Sequence, residues 1–220
     1  MIETIVFDIG ETITRDDRYW HSWADWLGVP RHTLSALVGA VVAQGRDNAD
    51  AVRPARPGID IAAEYSAREA AGQGEFLDES DLYEDVRPTL SALRRAGIRA
   101  VIAGNQTSHV GELLRGLDLP ADLIVTSGEL GVAKPQPEFF ERVLEAARAV
   151  PRRTLYVGDH PANDVFPAKA AGLRVAHVRR GTWGHFWADD PEVAAAADWR
   201  IGSLAQLLSI TAADKTERLR

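Results

Sequence analysis

The segment that most constrains this chain is Thr4-Ile5-Val6-Phe7-Asp8-Ile9-Gly10-Glu11-Thr12-Ile13, a short apolar run that delivers one carboxylate and then turns on a glycine. A run of this length bounded by a turn signal reads as a buried strand of a parallel sheet, and such sheets bind ligands beyond the carboxyl ends of their strands. Asp8 stands at that end. It is a nucleophile, a metal ligand, or simply a cap for the turn that follows.

Three later segments bear on that choice. Gly97 to Gln106 (GIRAVIAGNQ) reads as a second strand, preceded by a helix over Arg87 to Ala96 in which Leu90 and Leu93 share a face and Gly97 is placed to cap. Leu123 to Ser127 is a third run, followed by Gly131-Val132-Ala133-Lys134-Pro135 and a helix carrying Phe140, Val143, Leu144 and Ala147. Thr154 to Asp159 is a fourth run ending in an acid, and His160-Pro161-Ala162-Asn163-Asp164 brings a second acid onto the next turn. Arg174 to Val178 is a fifth. The alternation predicts an α/β fold: a Rossmann-like parallel sheet with helices on both faces. Collected at strand ends, Asp8, Lys134, Asp159 and Asp164 put three carboxylates and one ammonium in one crevice, a set suited to Mg2+ and a phosphate.

The interval between the first two strands is longer than one crossover needs. Trp20, Trp23, Trp26 and Leu27 recur at helical spacing, Leu34, Leu37, Val38, Val41 and Val42 make a second stripe, Arg53 to Gly58 breaks the pattern, and Ile61 to Ala71 reads as another helix. Trp23 and Trp26 are expected to pack this region. Gly181 to Trp187 is dense in aromatics and is expected to pack structurally; Leu204, Leu207 and Leu208 predict a last short helix, and residues 211–220 a frayed tail. With 220 residues the chain can bury one sizeable core and carry a small accessory domain. A net charge of −7 with scattered Lys and Arg speaks against nucleic acid as partner, and no long apolar span suggests a membrane helix. The absence of cysteine excludes disulfides and thiolate metal sites. A reducing cytoplasm fits best, with no basic leader.

Taken together, the motifs resemble those of the haloacid dehalogenase (HAD) superfamily, in most branches magnesium-dependent phosphohydrolases. Phe7-Asp8-Ile9-Gly10-Glu11-Thr12 is similar to the first motif, whose leading Asp is the family's nucleophile, and Ala103-Gly104-Asn105 falls where the second ends its strand. Lys134-Pro135 resembles the third, and Gly158-Asp159 through Asp164 the acidic fourth, continuing as Ala168-Lys169-Ala170-Ala171-Gly172. The resemblance implies an α/β core over 1–14 and 86–210 and a small all-helical cap over 15–85. It implies catalysis by Asp8 and Lys134, and Mg2+ held by Asp8, the Gly10 carbonyl, Asp159 and Asp164. It also implies phosphate or substrate contacts at Gly104, Asn105 and Thr107, with Arg18 and Trp20 as cap candidates.

Two departures stand out. The second Asp that phosphatase branches place two residues after the nucleophile, as acid and base, is Gly10 here, and the usual Ser or Thr of the second motif is Gly104. Glu11 is a candidate substitute for the first, Thr107 or Ser108 for the second. Lost acid–base help slows poor leaving groups most, so the expected reaction is hydrolysis of a small phosphorylated metabolite with a good leaving group, by a monomer or homodimer. Two alternatives remain: a catalytically degenerate HAD-fold binding protein, and a haloacid dehalogenase, whose metal-free branches also lack the second Asp.

Overall fold

The computed structural model describes residues 1–217. Six parallel strands form one sheet in the order β3-β2-β1-β4-β5-β6: β1 Thr4–Phe7, β2 Arg99–Gly104, β3 Leu123–Thr126, β4 Thr154–Gly158, β5 Arg174–Val178 and β6 Trp199–Ile201. Because side chains alternate across a strand, each apolar run feeds both faces. Ile5, Phe7, Leu155, Val157, Ala176 and Val178 meet Leu90 and Leu93 of helix Val86–Arg95 on one face. Val6, Tyr156 and Val175 meet Phe139, Phe140, Val143 and Leu144 of helix Pro137–Ala147 on the other.

This topology also locates a crevice. The chain leaves β1 for its neighbour β2 and then β3, and returns past β1 to β4 on the opposite side. At such a reversal the connections run away from each other and leave a gap at the carboxyl ends of the strands. Asp8 follows β1 and Asp159 follows β4, so both acids border that gap.

Chain contacts group Met1–Arg15 with Leu77–Arg220 in one unit and Asp16–Phe76 in a second. In the second unit, helices Asp17–Leu27, Arg31–Val42 and Ile61–Ala70 bury Trp20, Trp23, Leu27, Leu34, Val38, Val41, Val42 and Arg68. Gly28, at φ 71°, ends the first of these helices. Residues 77–85, assigned above to the insertion, pack with the first unit: Leu82 joins the sheet-face core, and the Arg15 N–H donates to the Asp81 carbonyl at 2.7 Å.

One local expectation changes, and two further elements emerge. Residues 211–217 continue helix Gln206–Glu217, held where Asp214 accepts from Arg174 at 2.6 Å and Thr211 is buried; the rest of the expected frayed tail lies outside the described residues. Strand β6 is only three residues long, Trp-Arg-Ile, and gives no period to read. The aromatic segment begins with a short helix, Gly181–Phe186, whose Trp183 is buried and stacks on His160 with centroids 3.8 Å apart.

Candidate active site

Asp8 is set at the sheet edge by one further rung of the ladder: its N–H donates to the Val157 carbonyl at 2.8 Å, one residue beyond β1. Asp164 comes from the turn Pro161–Val165 and folds back over the end of β4. A Cβ at Gly158 would lie 2.3 Å from its carboxylate, so that approach requires glycine. Asp164 Oδ2 accepts the His160 N–H at 3.0 Å, and Oδ1 accepts the Tyr156 hydroxyl at 3.2 Å. Tyr156 lies fully buried on β4, and burial raises its phenol well above its ordinary value, so it remains a donor.

Lys134 enters this group from the loop before helix Pro137–Ala147. Its Nζ donates to Asp164 Oδ1 at 2.6 Å and to Asp8 Oδ1. Asp8, Lys134, Asp159 and Asp164 are all less than a tenth exposed. One carboxylate oxygen from each of Asp8, Asp159 and Asp164 lies within 4.8 Å of the others. Burial raises Asp8 to about 6, the Asp164 charge adds to that, and Lys134 pulls it partly back. Burial alone would lower Lys134, but Asp164 and Asp8 outweigh it and hold the ammonium charged. Three carboxyl groups beside one ammonium bring more acidic than basic groups together, as hard oxygen donors. That donor set fits a small hard dication.

The other candidate residues divide. Gly104 abuts Asp8: a Cβ there would stand 2.7 Å from Asp8 Oδ1, so in this arrangement the nucleophile candidate fills the space a serine or threonine would need. Gly10 sits in the half-buried turn after Asp8 and bridges to Thr14. The Asn105 amide bonds to the main chain of Lys134, with Nδ2 donating to its carbonyl at 2.9 Å and Oδ1 accepting its N–H at 2.8 Å. The Thr107 hydroxyl accepts the Val110 N–H at 3.2 Å as the cap of helix Ser108–Gly116. Arg18 and Trp20 belong to the second unit, where Arg18 lies 4.4 Å over the Phe76 ring and Trp20 is buried edge-on to Tyr19. Trp23 is buried there, and Trp26 donates to Glu64 at 2.7 Å.

Glu11 is engaged. It adopts φ 52°, packs where a Cβ on Gly181 would strike it at 2.4 Å, and accepts the Tyr83 hydroxyl at 2.5 Å. Arg180 lies 4.2 Å over the Tyr83 ring and donates to the Thr12 carbonyl at 2.8 Å and to Asp85. His177, buried on β5, makes a 2.8 Å hydrogen bond to the Asp159 carbonyl, and burial lowers its pKa. Sequence reasoning missed Tyr156, His177, Tyr83 and Arg180. Tyr156 and His177 are in-strand polar residues whose alternation with apolar neighbours was readable; Tyr83 and Arg180 lie 72 and 169 residues from Glu11, with no local pattern joining them.

The family model for haloacid dehalogenase-like hydrolases matches residues 2–172. A phosphoserine phosphatase of Thermus thermophilus is 34% identical over 132 residues, covering 57% of this chain and 49% of that protein. Pyrophosphatase PpaX of Anoxybacillus flavithermus is 29% identical over 222 residues, covering 95% of this chain and 96% of its own. The chain thus spans about half the length of the first of these curated relatives and nearly all of the second. The solved structure of a HAD phosphatase from Thermococcus onnurineus superposes with a TM-score of 0.60 at 20% identity, over 96% of this chain and 98% of that one, a likeness of fold.

Proposed function

The chain belongs to the haloacid dehalogenase-like hydrolases, and from that membership we propose that it hydrolyses a small phosphomonoester, with Mg2+ as cofactor, through an aspartyl-phosphate on Asp8. The observation that carries this reading is the buried Lys134 ammonium bonded to both Asp8 and Asp164, with Asp159 alongside. Asp8, Asp159, Asp164 and the Gly10 carbonyl are the residues that would hold the cation. When bound, it supplies charge neutralisation at the phosphoryl oxygens.

The steps belong to the chain's own residues. An Asp8 carboxylate oxygen attacks phosphorus and the bond from phosphorus to the leaving-group oxygen breaks, releasing a carboxylate, a phenolate or a sugar hemiacetal oxyanion, whose proton, where it takes one, comes from water. Water then attacks the same phosphorus, inorganic phosphate leaves, and the Asp8 carboxylate is regenerated. Lys134 offsets the charge that gathers on the transferring group and restrains repulsion between Asp8 and Asp164. Gly10 offers no side chain to protonate the leaving group, and the Glu11 carboxylate is bonded to Tyr83. Substrates with good leaving groups therefore fit best: acyl phosphates, aryl phosphates and sugar-1-phosphates. A metal-free halide site has no use for Asp159 and Asp164, which favours the phosphatase over the dehalogenase.

The test is hydrolysis of acetyl phosphate, an aryl phosphate, sugar-1-phosphates and sugar-6-phosphates, with magnesium or with chelator, by the wild type and by Asp8→Asn. Magnesium-dependent turnover biased to good leaving groups and lost in Asp8→Asn is the expected result. Turnover no higher than in the variant on every substrate would make the protein a binding protein on this fold.

A further inference from the structure

We propose that Asn105 is a positioning residue for Lys134 rather than a contact to phosphate. The main chain of Lys134 has one N–H and one carbonyl, and among the described residues both find their hydrogen-bond partner in the Asn105 side chain, at 2.8 and 2.9 Å. A side-chain amide that accepts and donates to one residue's main chain fixes its position and its rotation together. Asn105 can do this because it directly follows Gly104, the residue of β2 that abuts Asp8. The same strand end thus sets both partners of the ion pair: Gly104 leaves room for the Asp8 carboxylate, and Asn105 holds the lysine backbone from which Nζ reaches it.

The side chain beyond that anchor is long and unbranched, and a lysine has four rotatable bonds with which to wander. Tyr156 limits the other end by donating to the Asp164 oxygen that Lys134 also engages. Anchored at the backbone and met at the tip, the ammonium is delivered to one place. The edge of β2, where the family's second motif offers a hydroxyl, serves here to place the lysine.

The chain offers a direct readout, because it contains only three lysines, Lys134, Lys169 and Lys215. Trace acetylation of the intact protein with acetic anhydride, followed by mass spectrometry of the three lysine peptides, compares Lys134 with two internal references in one sample. Asn105→Ala and the near-isosteric Asn105→Leu are expected to raise Lys134 labelling about five- to thirtyfold relative to Lys169 and Lys215. On the hydrolase reading, which this second arm alone rests on, kcat falls about 10- to 100-fold with KM little changed. Lys134 labelling equal to wild type in both variants overturns the proposal. So does a raised KM with kcat and labelling unchanged, which would make Asn105 a substrate contact. If the wild type turns over no phosphate ester the hydrolase reading fails, and the labelling arm still decides the role of Asn105.

Discussion

Among the buried cations of the described residues, Lys134 and Arg68 have surroundings that differ in kind. Lys134, in the first unit, lies between two carboxylates that hold its ammonium charged. Arg68, in the second, is only 4% exposed, yet the partners that bond to it among the described residues are a carbonyl and a hydroxyl, not a carboxylate. Its guanidinium lies 4.2 Å over the Trp23 ring, with Nε donating to the Gln73 carbonyl at 3.2 Å and Nη2 to the Ser22 hydroxyl at 2.8 Å, and burial lowers its pKa. A cation among neutral acceptors and an aromatic face ties elements together. A cation between two like charges is part of an electrostatic arrangement with charge to exchange. Burial alone therefore does not mark a functional group; the sign and number of its partners do.

The contrast breaks most sharply at Lys134. Lys134→Met keeps the stem and removes the charge, leaving Asp8 and Asp164 to repel each other. It should lower kcat about 10²- to 10³-fold, as removal of one charge-stabilising donor does, and steady-state hydrolysis of an aryl phosphate measures it. Retained activity would put Lys134 in the class of Arg68. Next comes Gly104→Ser, which sets a Cβ where Asp8 Oδ1 now approaches to 2.7 Å. Asp8 must shift, and a loss of about tenfold or more in kcat is expected. A gain would mean that Asp8 yields freely and that the new hydroxyl reaches the phosphate. Arg68→Met should leave kcat per folded molecule unchanged and cost about 1–3 kcal/mol of stability, from a lost stacking contact and two hydrogen bonds. Chemical denaturation checks that value, and a loss of kcat without loss of stability would erase the distinction between the two cations.

Much of this was legible in the chain, for identifiable reasons. Five of the six strands announced themselves because a parallel strand is apolar on both faces, so Ile5-Val6-Phe7 and Leu155-Tyr156-Val157 read as runs. The acids at their ends followed from the same runs, which is why Asp8, Asp159 and Asp164 could be named together before any geometry. What stayed hidden depends on contacts between distant residues. No spacing links Asn105 to the backbone of Lys134, 29 positions away, or Glu11 to Tyr83 across 72. Thr107, taken as a phosphate ligand, caps its own helix, a local use that its place before an apolar stripe allowed. The Trp-Arg-Ile edge strand and the ordered helix at 211–217 escaped because one is too short to show a period and the other is held by Arg174, 40 residues from Asp214.

The smallest expected effect concerns protons, and it separates the two cations in solution. Asp8 is raised from 3.8 to about 6, chiefly by burial and then by Asp164. A folded-state value above the unfolded one means that, between those values, the metal-free native state keeps a proton that the unfolded chain has released. Its stability therefore falls as pH rises through that window, reaching the full loss above about 6. Magnesium needs the carboxylate ionised, so binding must expel that proton at low pH. Its affinity should fall about twofold from pH 7 to 6 and about tenfold from pH 7 to 5. Titration calorimetry in two buffers of different ionisation enthalpy measures both the affinity and the proton released. Arg68→Met should reproduce the wild-type curve, since Arg68 is not among the groups acting on Asp8. Lys134→Met should move the onset to higher pH, because the one charge that pulls Asp8 down is gone. An affinity flat from pH 5 to 7 in the wild type would show that Asp8 is already ionised throughout, and that Lys134 outweighs burial where the present balance has burial ahead.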